Sequence, residues 1–280
     1  MRTTTTLIPY FGSNRLLARH VGEHLAGCSW VAVPFAGGMS ELRHIPARTI
    51  LVGDLHRHVI NLANVLKDDR RGPILIRRLR RLAFHEDTLR DAQRHCRAIE
   101  AGEDPCLTMA WAESYFVCAW MTRSGSAGTP GEFRGALSVR YDAGGGDSAV
   151  RFRSAVESLR DWRRIMPRCT FVVRDALDLL ADVKDADGHG TFCDPPLPDA
   201  GRGYTHNPGG GEAERAWHTR LRDALERFAK TKVVARFYDH ELIRELYAPG
   251  RGWVWHELTG GKTQTNAGAP EVLATRNGGA

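Results

Sequence analysis

The stretch Ser29-Trp30-Val31-Ala32-Val33-Pro34-Phe35-Ala36-Gly37-Gly38 decides the fold. Its apolar run predicts a strand over Ser29–Pro34, and the glycines that follow predict a turn over Phe35–Gly38. Glycine lets the backbone approach a ligand closely. Upstream, Tyr10–Asn14 reads as a short loop and Leu16–Leu25 as a helix. Downstream, Thr49–Gly53 reads as a second strand ending at Asp54, and Val59–Leu66 as a helix. This alternation favours a parallel sheet.

The pattern changes at Lys67. Ile74–Leu82 and Asp87–Glu100 read as helices rich in arginine, with Arg77, Arg78, Arg80 and Arg81 clustered. An aromatic stretch from Trp111 to Trp120 follows, then glycine-rich loops at Ser124–Gly131 and Gly144–Gly146. These features predict an insertion with exposed loops. The arginine cluster suits phosphate neutralisation, while Leu75, Leu79 and Leu82 beside it fit an ordinary solvated helix equally well. Trp111, Trp120 and Trp162 read as insertion core.

After about Arg164 the alternation resumes. Cys169–Val173 predicts a strand ending at Arg174-Asp175. Thr191–Cys193 predicts another, ending at Asp194-Pro195-Pro196-Leu197. Asp199–Gly211 reads as a loop, Glu212–Ala229 and Glu241–Tyr247 as helices, Lys232–Phe237 as a strand, and Gly252–Leu258 and Glu271–Thr275 as C-terminal pieces. Two prolines end a strand abruptly and stiffen the backbone beside Asp194. A rigid carboxylate next to a carbonyl suits an amine with two protons to donate. The glycine turn lacks G-x-G-x-x-G spacing and the chain has no GxxxxGK[ST], which places NAD and ATP behind other cofactors.

Composition sets the bounds. The chain has 280 residues, 42% hydrophobic and 26% charged, enough to bury a core without staples. Net charge is +6, and arginine dominates the basic residues. That balance allows an acidic partner such as nucleic acid. No apolar run reaches the ~18 residues of a membrane span, and Met1–Pro9 lacks the apolar core of a signal peptide. The 6 cysteines show no zinc spacing and read as reduced thiols in a cytosolic protein. No metal site is expected.

The ordered set Tyr10-Phe11-Gly12-Ser13-Asn14, Pro34-Phe35-Ala36-Gly37-Gly38, Gly53-Asp54, Asp175 and Asp194-Pro195-Pro196-Leu197 resembles the Dam-like (D12 class) DNA adenine-N6 methyltransferases. Met121-Thr122-Arg123, Gly131-Glu132-Phe133-Arg134, Tyr204, His218 and Glu271-Val272-Leu273 extend the resemblance over essentially the whole chain. It implies an α/β fold, a class I Rossmann-like methyltransferase with a mostly parallel sheet. Residues 1–66 and 166–280 would form the catalytic domain, and 67–165 a mainly helical target-recognition insertion.

The resemblance also implies roles. Tyr10, Gly12, Pro34, Phe35, Gly37 and Gly38 would border S-adenosylmethionine, Asp54 its ribose and Asp175 its adenine. Asp194 and the Pro195 carbonyl, with Pro196 and Leu197 completing the motif, would hold the target amine of a flipped base. Arg77, Arg78, Arg80, Arg81, Arg123 and Arg134 would face double-stranded DNA. A restriction endonuclease partner is compatible with the resemblance. Two positions depart from the family pattern. Leu197 replaces an aromatic residue expected to stack on the base, a contact worth ~1–3 kcal/mol, and Asn14 replaces a lysine. Another amine acceptor, such as an RNA base, or a degenerate DNA-binding homologue therefore stands beside adenine methylation.

Overall fold

The computed structural model describes residues 5–12, 17–102, 108–123, 125–139, 147–199, 203–258 and 270–277. Among these residues the chain is α/β, with a seven-stranded, mostly parallel, Rossmann-like sheet and nine α-helices. It forms two compact units. One comprises residues 14–36, 41–55 and 168–280, the other residues 1–13, 37–40 and 56–167. The second of these reaches beyond 67–165, because the helix at 57–67 and the N-terminal segment pack within it.

The sheet unit holds strands β1 (Trp30–Val33), β2 (Thr49–Asp54), β3 (Cys169–Val173), β4 (His189–Cys193), β5 (Lys232–Tyr238), β6 (Val254–Leu258) and β7 (Glu271–Arg276). Their spatial order is β3-β2-β1-β4-β5-β7-β6. β1 to β5 pair in parallel, and β7 runs antiparallel to both β5 and β6. Parallel strands covered on both faces read as continuous apolar runs, as Val31-Ala32-Val33 and Val233-Val234-Ala235 do; all six are buried. Helices α1 (Ala18–His24), α7 (Ala176–Asp182), α8 (Glu212–Glu226) and α9 (Glu241–Leu246) belong to this unit. The guanidinium of Arg168 enters β3 by donating to the carbonyls of Leu42, Ile45 and Ala47, the latter two at 2.6 and 2.9 Å.

The helical unit holds α2 (Arg57–Lys67), α3 (Arg71–Arg81), α4 (Glu86–Glu100), α5 (Met109–Met121) and α6 (Ser148–Ile165). α5 is apolar around most of its circumference, Glu113 and Ser114 excepted, and is buried from Tyr115 to Met121, the expected behaviour of a helix with little polar face. Trp111 and Trp162 are fully buried and Trp120 nearly so, which makes all three core residues. The Trp120 indole donates to the Leu7 carbonyl at 3.1 Å, tying down the N-terminal segment.

Three helices add to the elements read from sequence: α5 over the aromatic stretch, α6 and α7. α6 buries Phe152, Val156, Leu159 and Trp162, spaced at helical period, and Asp147 caps its first turn. α7 is short and is capped by Asp175. No helix among the described residues is long and apolar enough to cross a membrane.

Candidate functional site

Parallel strands deliver their carboxyl ends to one edge of a sheet, about 4.8 Å apart. In the order β3-β2-β1-β4 those ends carry Asp175, Asp54, Pro34-Phe35 and Asp194. The chain moves outward from β1 in both directions, so the order reverses between β1 and β4. A crevice forms at such a reversal.

Each carboxylate is fixed differently. The amide of Ala36 donates to the Gly53 carbonyl at 3.0 Å, fastening the segment after β1 to β2. Asp54 is the last residue of β2, and its carbonyl accepts the Arg174 amide at 3.2 Å. Asp175 spends one carboxylate oxygen on α7, accepting from the amides of Leu177 and Asp178 at 2.8 and 3.4 Å. It is therefore first a helix cap. The half-buried ring of Phe35 meets Trp217 of α8 edge to face, with centroids 6.1 Å apart.

Asp194 has a partner that no motif announced. Register pairs Cys193 with Ala235, so Asp194 emerges beside Arg236 of β5. Arg236 Nη1 donates to both carboxylate oxygens, each at 3.0 Å, and Nη2 donates to Glu271 Oε1 of β7 at 3.0 Å. The arginine side chain is 3% exposed, Glu271 8% and Asp194 20%. The signal was available in sequence: a charge inside Val233-Val234-Ala235-Arg236-Phe237 must be paired if the strand is buried.

The surroundings shift protonation. Burial raises the Asp194 carboxyl, with Arg236 opposing. Glu41, buried in the 3-10 turn Ser40–Arg43, is pushed up to about 8 by burial and by Asp194. Burial also raises the Tyr204 hydroxyl, again with Asp194 adding to it. At neutral pH the cluster holds a neutral Glu41, one guanidinium and the Asp194 and Glu271 carboxyls.

The rest of the motif turns inward. Pro195 is buried and Pro196 half-buried. Leu197 is 2% exposed and joins the apolar core that includes Leu221, Phe237 and Ile243. Its side chain is a core element, not an exposed stand-in for a stacking ring. His218 is fully buried, neither ring nitrogen has a hydrogen-bond partner among the described residues, and burial lowers it to about 4.

Tyr10, Gly12, Gly37 and Gly38 lie in the helical unit. The Gly38 carbonyl accepts from Thr6 Oγ1 at 2.7 Å and from the Leu7 amide at 3.0 Å. Tyr10 bridges to Ala127, and its ring lies over Gly128, where a Cβ would come within 2.3 Å of Tyr10 Cζ. Gly128 has φ +82°, so two constraints demand glycine there. A Cβ on Gly37 would lie at 3.5 Å from the same ring. Asn14 falls outside the described residues, as do Ser13, Ser124, Cys106 and the 144–146 glycines.

The four clustered arginines separate into two pairs. Arg78 is ion-paired with Glu113 of α5, and Arg80 with Glu157 of α6. Arg77 and Arg81 are exposed one turn apart on α3, and Arg123 and Arg134 are exposed on loops. No protein-family model and no curated protein sequence matches the chain at a significant level.

Proposed function

We propose that this chain is a class I, Rossmann-like methyltransferase that moves a methyl group from S-adenosylmethionine to the exocyclic N6 amine of adenine in DNA. One observation carries the reading. Asp194 follows the strand next to β1, at the point where the strand order reverses, beside the end marked by Pro34 and Phe35. Open parallel sheets bind their ligands there. The antiparallel β7 between β5 and β6 departs from the six-stranded dinucleotide order, which speaks against a nicotinamide-binding sheet.

The donor set fits the cofactor. Asp54 closes β2 with a half-buried carboxylate, chemistry suited to a ribose diol, and Asp175 has a second oxygen beyond the one that caps α7. When bound, S-adenosylmethionine supplies a methyl group on a cationic sulfur. Asp194 and the Pro195 carbonyl would each accept an N–H of the target amine, turning the nitrogen lone pair toward that methyl. Formation of the bond from that nitrogen to the methyl carbon would be matched by cleavage of the methyl carbon–sulfur bond, leaving a neutral thioether. The positive charge passed to the nitrogen would be stabilised by the Asp194 carboxylate and then lost as an N–H proton to solvent. The adenine must leave the duplex to reach this edge, and the exposed arginines of the helical unit offer phosphate contacts.

A second reading, a cofactor-binding homologue with little transfer, is favoured by the burial of Leu197. Incubating the protein with DNA and a labelled methyl donor, followed by nucleoside analysis, separates the two. Labelled N6-methyladenine supports methylation. Cofactor binding without any labelled base overturns it.

A further inference from the structure

Resting on the methyl-transfer reading, we infer that Arg236 is a positioning residue that holds the Asp194 carboxylate in the orientation needed to receive the target amine, with Glu271 fixing the guanidinium in turn.

The geometry is a relay across three adjacent strands. Asp194 leaves β4, Arg236 lies in β5 and Glu271 begins β7. Tyr238 pairs with Glu271, and Arg236 sits two residues before Tyr238 on the same face of β5. Arg236 thus reaches Asp194 on one side and Glu271 on the other from a single rotamer.

The contact to Asp194 is made by one nitrogen, equidistant at 3.0 Å from both oxygens. A donor on that bisector occupies the inner lone pairs. A carboxylate has about four lone-pair sites, so the outer pair remains geometrically suited to a second donor. Two equal contacts from one nitrogen hold both oxygens of the carboxylate against β5. Burying a guanidinium costs several kcal/mol unless it is fully paired, and an apolar residue would satisfy the strand at lower cost. A role beyond packing accounts for the charge.

Among the described residues, the charged and titratable groups facing this pair include Glu41 from the turn after β1, Cys193 at the end of β4, Glu271 from β7, Tyr204 from the loop after β4, and Tyr238, whose ring centroid lies 5.7 Å from Arg236 Cζ. Arg236 is the cation among them. Removing it leaves Asp194 beside Glu271 and Glu41 without the guanidinium that favours its ionised form. An opposite charge at this range is worth about 1–3 pH units to a carboxyl.

The test compares Arg236→Gln, Arg236→Lys and Glu271→Gln in the full chain. Three readouts are used: methyl transfer against pH, S-adenosylmethionine affinity by calorimetry, and the Asp194 carboxyl titration by carbon-detected NMR, assigned through Asp194→Asn. Arg236→Gln is expected to move the acidic limb of the rate profile and the NMR titration upward together by about 1 unit or more. Cofactor affinity should change less than twofold. Arg236→Lys keeps the charge but not the fork, so the limb should stay while turnover falls roughly tenfold to a hundredfold. An unmoved limb with unmoved turnover in folded Arg236→Gln overturns the inference. If Arg236→Gln does not fold, Arg236→Lys and Glu271→Gln carry the test, and wild-type turnover in both overturns it. Absence of adenine methylation in the wild type defeats the functional reading and with it the positioning role; the NMR titration then shows whether the clamp exists as structure alone.

Discussion

In the helical unit, His56 Nε2 lies 2.8 Å from Glu132 Oε1, and both side chains are buried. The other oxygen of Glu132 accepts the Gly128 amide at 2.7 Å. One carboxylate therefore ties helix α2 to the turn beneath the Tyr10 ring. Glu132→Ala strands two buried donors, each worth about 1–3 kcal/mol when left unpaired. Chemical denaturation should show a loss in that range, with faster hydrogen exchange at Gly128. Unchanged exchange would mean the turn is held by other contacts.

Leu197 invites replacement by the aromatic residue that the family pattern expects. The structure gives a different expectation. The side chain is packed in the core of the sheet unit, and overpacking such a site costs typically ~1–3 kcal/mol. Leu197→Tyr should lower the melting temperature and bring no gain in base capture. Increased methylation at unchanged stability would refute this.

Glu41 makes stability pH-dependent with a definite sign. Its carboxyl rises from 4.5 to about 8 on folding, through burial first and Asp194 second. Between those values the folded chain keeps a proton that the unfolded chain has released. Its contribution is full below pH 4.5 and is lost as pH rises through about 8. The slope is at most about 1.4 kcal/mol per pH unit. Glu41→Gln should match wild type near pH 4.5 and gain on it steadily up to pH 8. Denaturation curves that stay parallel across this range would contradict the assignment.

The arginines of α3 should separate by salt dependence. Each phosphate contact adds ~0.9 to the slope of log affinity against log salt. Arg77→Ala with Arg81→Ala should flatten that slope by about 2 if both meet phosphates. Arg78→Ala with Arg80→Ala removes the pairs to Glu113 and Glu157 and should act on stability, by no more than about 1 kcal/mol per exposed pair. The reverse pattern in a filter-binding titration would reassign the face.

Asp54→Ala should weaken S-adenosylmethionine binding, since a hydrogen bond to a charged group contributes about 1.5–3 kcal/mol. Calorimetry on folded protein checks it. Equal affinity would place the cofactor's sugar elsewhere.

Much of the sheet was legible because buried parallel strands write themselves as apolar runs. Val31-Ala32-Val33 and Val233-Val234-Ala235 are examples, and the polar residues at the ends of β2, β3 and β4 mark the carboxyl edge. The order of the strands was not legible. β2 meets β3 across five intervening helices, and no local pattern encodes a partner that distant. The same distance hid the clamp on Asp194 and the partners of Arg78 and Arg80. Arg236 announces that it needs a carboxylate, yet Asp194 and Glu271 are separated from it by 42 and 35 positions. Helix α6 is readable in principle, since Phe152, Val156 and Leu159 recur at helical spacing. For Asp175, Leu177 and Asp178 placed just after it point to the cap, a commoner use of aspartate than ligand binding.

The placement of β7 has a consequence for synthesis on the ribosome. Proteins generally begin folding from the N-terminal side as they emerge. Here β6 is made before β7 but has no neighbour in the sheet until β7 is inserted between it and β5. Until residues 271–276 emerge, β5 presents an unpaired edge of the kind that templates aggregation. Arg236 meanwhile has only one of its two carboxylates. The nascent chain thus completes the electrostatics of its candidate site and seals the β5–β6 gap in the same event, the insertion of β7.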